Sequence, residues 1–144
     1  MKITQISVFL ENKKGRLYDV CSLLGKNGVN IYALTIAETE TFGVLRLIVD
    51  KSELAVKTIK QNNFVANITE VVAVEVDDQP GGLAAVLKIL VDNDISIEYM
   101  YGFVEKFSDK AILVFRFEDT DKAQKALIAG GVKIVTKKEI EDID

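Results

Sequence analysis

Apolar and polar residues alternate from Ile3 to Leu10, the period-two signature of a half-buried strand. The period then changes. Leu17, Val20, Cys21 and Leu24 recur at helical spacing, and Asn27-Gly28 ends the helix they predict. A second strand pattern covers residues 30–37, a tight connection residues 38–42, and a third strand residues 43–49. Ser52 is placed to cap a second helix whose buried stripe is Leu54, Ala55, Thr58 and Ile59. Asn62-Asn63 breaks that helix, and residues 64–69 read as a short fourth strand.

The same pattern then runs again. At an offset of 66 positions Val8 meets Val74, Gly15 meets Gly81, Leu17 meets Leu83, and Val20 meets Val86. Leu24 meets Leu90, Asn27 meets Asn93, and Ile31 meets Ile97. Two extra residues near Lys106-Phe107-Ser108-Asp109 move the offset to 68, where Asp50 meets Glu118, Ala55 meets Ala123 and Ile59 meets Leu127. An internal repeat of this kind outranks any local reading. The second copy predicts a strand over 71–76, a helix over 80–91, and strands over 95–104 and 111–118. A helix over 120–129, a Gly130-Gly131 break and a strand over 132–136 complete it.

The order β-α-β-β-α-β, written twice, predicts an α+β fold. Right-handed crossovers turn each ferredoxin-like βαββαβ unit into an antiparallel four-stranded sheet with both helices on one face. The expected domains are 1–69 and 70–144, with almost no linker between them. Val44-Leu45-Arg46-Leu47-Ile48-Val49 is apolar on both strand faces but for Arg46, and residues 112–117 but for Arg116. A sheet wet on one side alternates more cleanly. Part of the second face is therefore expected to be covered, by the other repeat or by a second chain, although scattered apolar surface residues are common.

Composition narrows the chemistry. Hydrophobic content of 49% with 28% charged residues is that of a globular chain. No apolar run approaches the ~18 residues of a membrane span, and the start turns polar too soon for a signal peptide; a cytoplasmic protein, without membrane contact, is expected. The net charge of −4, with no block of basic residues, argues against nucleic acid or anionic lipid. The single cysteine excludes a disulfide within the chain. The absence of histidine removes the commonest general base and the commonest zinc ligand. No cofactor and no metal are expected. Cys21 sits in an apolar helical stripe, where a free cysteine is ordinarily a small core hydrophobe.

Two turns stand out: Glu11-Asn12-Lys13-Lys14-Gly15-Arg16-Leu17 and Asp77-Asp78-Gln79-Pro80-Gly81-Gly82-Leu83. Each ends a strand and opens a helix, so each offers backbone N–H groups at the positive end of a helix dipole, a setting suited to a carboxylate or another small anion. With Gly-Val-Asn-Ile (28–31) opening the second strand, this unit resembles the ACT domain, a family of small regulatory modules that bind amino acids. The likeness spans nearly the whole chain, once per repeat, and is similar to stand-alone proteins of two tandem ACT domains. It implies a ligand between two modules, held by the first turn of one and the second strand of its neighbour. Asn12 and Asn30 then match the turn and strand asparagines, and Gly15, Arg16 and Leu17 match the helix-opening amides. The second copy would use Asp78, Gln79, Pro80, Gly81, Gly82 and Leu83 with Ser96 and Ile97. The sequence departs from the family where some members carry a histidine, here Leu10 and Val76, and Lys14 stands where Pro80 keeps the turn proline.

The residues suit such a ligand. An asparagine amide can donate to a carboxylate and accept from an ammonium, and Gly15 permits a close backbone approach. Taken alone, Asn12 would be an ordinary cap or turn residue. Lys13, Lys14 and Arg16 make the first turn basic, although lone exposed charges count for little. Asp78 suits an ammonium and repels a nearby ligand carboxylate, and Asp77 to Pro80 is also a favourable helix start. The expected site is therefore Asn12, Lys13, Lys14, Gly15, Arg16 and Leu17 with Asn30 and Ile31, the second-copy set being weaker. The expected function is non-enzymatic regulation by a free amino acid, in a homo-oligomer (a dimer) or on a regulated enzyme partner.

Two other uses of the topology stay open. Phe115 and Phe117, two apart on one strand, match the stacking aromatics of an RNA-recognition module, although the basic footprint of such modules is missing. An acylphosphatase-like enzyme would use an arginine in the first turn, near Arg16, although the rest of that motif is lacking. Tyr99, Tyr101 and Phe103 alternate along one strand with Ile97 and are expected on a packed sheet face.

Overall fold

The computed structural model describes residues 2–11, 13–38, 42–104 and 110–141. Asn12, most of the 38–42 connection and the two-residue insertion lie outside the described residues. Contacts divide the chain into a first unit, Thr4–Thr69, and a second that begins at Glu70 and takes in Lys2 and Ile3.

In the first unit β1 (Ile3–Glu11), α1 (Arg16–Lys26), β2 (Ile31–Glu38), β3 (Phe42–Val49) and α2 (Ser52–Gln61) lead into β4 (Val65–Asp77). The strand order is β2-β3-β1-β4, with β3 antiparallel to both β1 and β2. The second unit continues from β4 through α3 (Gly82–Asp92), β5 (Ile97–Gly102), β6 (Lys110–Phe117), α4 (Thr120–Ala129), β7 (Ile134–Val135) and a short α5 (Lys137–Glu141). There β6 pairs antiparallel with β4 and β5, and β7 with β4. Each unit is a ferredoxin-like βαββαβ fold.

Each unit has its own core. In the first, Ile6, Val8 and Leu10 of β1 and Leu45, Leu47 and Val49 of β3 meet Val20 and Leu24 of α1 and Ala55 and Ile59 of α2. In the second, Val72, Val74 and Val76 with Phe115 and Phe117 meet Val86, Leu90, Ala123 and Leu127. Each large side chain so buried contributes about 1.5–3 kcal/mol. The sheet residues between these also lose their water. Ile48, Ala73, Ile112 and Val114 are buried, and so is Gln5, whose Nε2 donates to Ser7 Oγ at 3.2 Å.

Four details depart from the sequence pattern. The strands predicted over 64–69 and 71–76 are one strand, β4, because neither glycine nor proline interrupts residues 65–72, five of which (Val65, Ile68, Thr69, Val71 and Val72) are β-branched. Ser52 does not cap α2: Lys51 holds the cap position and α2 has no side-chain cap, whereas Asp119, the repeat counterpart of Lys51, accepts from the Lys122 amide at 3.1 Å. A bulge shifts β5 between Ile97 and Tyr99, as another shifts β2 between Ile31 and Ala33. Ile97 therefore packs against the second core, while the Tyr99 and Tyr101 rings stack on each other with centroids 6.5 Å apart. Finally, α5 was not foreseen, although Thr136-Lys-Lys-Glu139 is a capping box: the Glu139 amide donates to Thr136 Oγ1, and the Thr136 amide to Glu139 Oε1, both at 3.2 Å.

No helix among the described residues is long and apolar enough to cross a membrane. Phe115 and Phe117 are fully buried and stack on each other at 5.4 Å, so neither ring can receive a nucleic-acid base. That removes the stacking platform on which the nucleic-acid alternative rested.

Three of the helices end alike. The side chains of Asn27, Asn62 and Asn93 each donate to the carbonyl four residues back at 2.8 Å, satisfying a group that a helix end leaves open. Among the glycines, Gly82 is held by sterics, since a Cβ there would lie within 2.0 Å of the Asp77 carbonyl oxygen, whereas Gly25 in α1 faces open space. Gly82→Ala should therefore lower stability by about 1–3 kcal/mol in urea unfolding, the usual cost of forced overpacking. Gly25→Ala should raise it by up to ~1 kcal/mol through helix propensity.

Candidate functional site

The first turn begins where β1 runs out, with Leu10 opposite Gly43 and Glu11 opposite Phe42. The Lys13 amide donates back to the Glu11 carbonyl at 2.7 Å, and the Arg16 amide to the Lys13 carbonyl at 3.4 Å. Gly15 then takes a left-handed backbone, φ +92°, at the N-cap of α1. A side chain there would meet nothing, so the backbone angle and not crowding selects glycine. Helix geometry leaves the Leu17 and Tyr18 amides without an intrahelical acceptor, and α1 has no side-chain cap.

Around this turn lies a hollow of about 170 Å³, lined by Lys13, Gly15, Leu17, Ile36, Glu38 and Gly43. Beside it lies a larger one of about 480 Å³, walled by Phe9, Phe42, Phe64 and Val65 with Asn62 and Asn63. Leu10, Glu11 and Arg16 line both. The Arg16 guanidinium stands over the Phe64 ring at 5.7 Å and 3.9 Å from Asp19. Glu11 pairs with Lys13 at 2.9 Å. The Lys13 hydrogen bond and charge, with a smaller contribution from Arg16, hold the Glu11 carboxyl below the usual carboxylate range, so it is ionised at neutral pH. Lys14 is exposed.

Asn30 lies at the opposite end of its own unit. Its amide donates to Asp50 Oδ1 at 2.9 Å, and the Asp50 amide returns a bond to the Asn30 carbonyl at 3.1 Å. Strand β3 runs from the turn end to the Asn30 end, and its eight residues separate the two by roughly 25 Å at the usual strand rise. Within one unit, then, the first turn and Asn30 cannot share a small ligand. Ile31 packs against the first core.

The second turn repeats the backbone. The Gln79 amide donates to the Asp77 carbonyl at 2.9 Å, the Gly82 amide to the Gln79 carbonyl at 3.0 Å, and Gly81 takes φ +86°. Helix α3 also lacks a side-chain cap, and Leu83 is as exposed as Leu17. The charges differ. Asp77 is bound by Lys110 at 2.6 Å, and that hydrogen bond and charge raise the lysine's pKa. Ser96 sits at the far end of the unit, as Asn30 does, in a hollow of about 530 Å³ lined by Asp94, Glu118, Asp119, Asp121 and Lys122. Among the described residues no cluster of acidic or cysteine side chains could hold a metal ion.

The pattern of Phe9, Phe42 and Phe64 was missed in the sequence. Their one visible signal was an aromatic at an outward strand position, as Phe9 is in β1. Burial pushes the Cys21 thiol up, consistent with a packing role. Substituting Lys13→Ala should let the Glu11 carboxyl return toward its ordinary, higher pKa, read by carboxyl-carbon NMR titration across the acid range.

The family model for the ACT domain pair matches residues 1–143. Among solved structures, a protein from Bacteroides thetaiotaomicron is 39% identical with a TM-score of 0.91, over 99% of this chain and 97% of that one. The ligand-free regulatory subunit of aspartate kinase from Thermus thermophilus is 15% identical with a TM-score of 0.62, over 88% of this chain and 91% of that one. Its counterpart from Thermus flavus is 14% identical with a TM-score of 0.56, over 89% and 92%. A search of curated protein sequences finds no match. By its duplicated fold and by the match over nearly its whole length, the chain belongs to the ACT domain pair family.

Proposed function

We propose that this ACT domain pair is a non-enzymatic, cytoplasmic sensor of a free amino acid, with the first turn as the principal ligand turn. The observation that carries the reading is the opening of α1. Gly15 and Leu17, at the start of a helix without a side-chain cap, line a hollow bordered also by Lys13, Arg16 and Glu11. A ligand carboxylate suits the amides, and an ammonium suits asparagine oxygens and Glu11. Asn12 is assigned to this site from its place in the turn sequence. Because Asn30 is distant within its own unit, the strand asparagine would come from a neighbouring module, which ties ligand binding to assembly. A ligand held at such a seam favours one arrangement by its differential affinity, whether the neighbour is a second copy or a regulated enzyme.

The lack of histidine in the sequence supports a non-catalytic role. So does the setting of Arg16, which stands on Phe64 and beside Asp19 and not in a glycine-rich phosphate loop. The second turn is the weaker candidate, since Asp77 is engaged by Lys110 and Asp78 would repel a ligand carboxylate.

A thermal-shift screen against the common amino acids tests this. A ligand at 100 times its Kd adds about 2.7 kcal/mol, which in a chain of this size raises Tm by roughly 5 to 10 °C. Asn12→Ala should abolish the shift and Asp78→Ala should leave most of it. No shift with any amino acid at millimolar concentration would contradict the reading.

A further inference from the structure

We infer that the ligand is an aromatic amino acid, its ring seated in the hollow walled by Phe9, Phe42 and Phe64. The inference rests on the amino-acid reading above and adds the side-chain class to it.

Phe9 and Phe42 are diagonal neighbours on one sheet face, since Phe9 faces Val44 and Glu11 faces Phe42 across the β1–β3 ladder. Both stay exposed in the folded chain, at 38% and 44%. Phe64 arrives from the other side, just after Asn63 takes a left-handed backbone at the end of α2, and Arg16 holds a cation against its ring. The hollow between them, about 480 Å³, lies in the range of small-molecule pockets. It shares Leu10, Glu11 and Arg16 with the smaller hollow at the turn. A molecule whose charged end sits on the turn can therefore send its side chain past Arg16 among the phenylalanines. Aromatic walls favour an aromatic guest through offset and edge-to-face contacts.

The duplication supplies an internal control. The positions that correspond to Phe9, Phe42, Phe64 and Val65 are Glu75, Lys110, Val132 and Lys133, and Arg16 corresponds to Gly82. In the second unit the charged side chains among these are tied off in ion pairs, Lys110 with Asp77 at 2.6 Å, and Lys133 with Glu75 at 3.7 Å and Glu139 at 3.0 Å. The same fold thus stands without aromatics at these places. Their presence in the first unit is therefore not a demand of the sheet.

The experiment is isothermal titration of the full chain with phenylalanine, tyrosine, tryptophan, leucine, threonine, aspartate, lysine and 3-phenylpropionate. It is repeated on Phe42→Lys and Phe9→Glu, which install the residues the second unit tolerates. An aromatic amino acid should bind at least tenfold more tightly than leucine, and either variant should weaken it tenfold or more. The unliganded circular dichroism spectrum and Tm should stay near those of the parent, which separates lost binding from lost folding. If a non-aromatic amino acid binds best, or if both folded variants keep the parent affinity, the aromatic assignment fails and the amino-acid reading stands. If 3-phenylpropionate binds and no amino acid does, the amino-acid reading fails and the hollow's preference for rings stands. If nothing binds, both fail.

Discussion

A left-handed backbone at one residue in each repeat, Gly15 and Gly81, sets where everything else can go. An L-residue with a Cβ adopts that angle only at a cost of roughly 1–2 kcal/mol, and glycine adopts it freely. The angle reverses the chain within four residues, so each strand delivers its helix directly onto its own sheet. Core packing and uncapped helix amides meet at this one reversal. Leu10 and Val76 close the apolar side of it, and open helix donors occupy the other.

Much of this was legible in the residues. Period-two runs, helical stripes and the 66-position repeat determine the element order, and α4 falls over 120–129 as its pattern predicts. What escaped was geometry that periodicity cannot encode. The bulges at Tyr32 and Glu98 change which face follows, so Ile97 and Tyr99 were read as neighbours on one face when they lie on opposite ones. The fusion of two strands into β4 follows from a missing signal, the lack of any glycine or proline, which is harder to read than a turn. At the site, the strand end, the glycine and the basic turn were visible in order along the chain. The three phenylalanines were not, because they come from β1, β3 and the α2–β4 junction and only the register brings them together.

The two copies have diverged in a consistent direction. In the first unit the turn carries cations and opens beside aromatic rings; in the second the matching positions carry carboxylates and lysines that neutralise one another. Exposed ion pairs contribute little to stability. Their effect here is on the sign of the charge: the second turn pairs Asp77 with a lysine from β6, while the first pairs Glu11 with its own Lys13 and adds Lys14 and Arg16, and the helix amides are uncapped in both. The two copies thus share one reversal and differ in the side chains around it.

Amide chemical-shift mapping tests that asymmetry most directly. The ¹⁵N-labelled chain would be titrated with whichever amino acid stabilises it most. The largest shifts should fall on Gly15, Arg16, Leu17 and Tyr18, with Gly81 to Ala84 unmoved until much higher concentration. Equal shifts at both turns, or shifts that leave the first turn untouched, would contradict the assignment of the first reversal as the ligand turn.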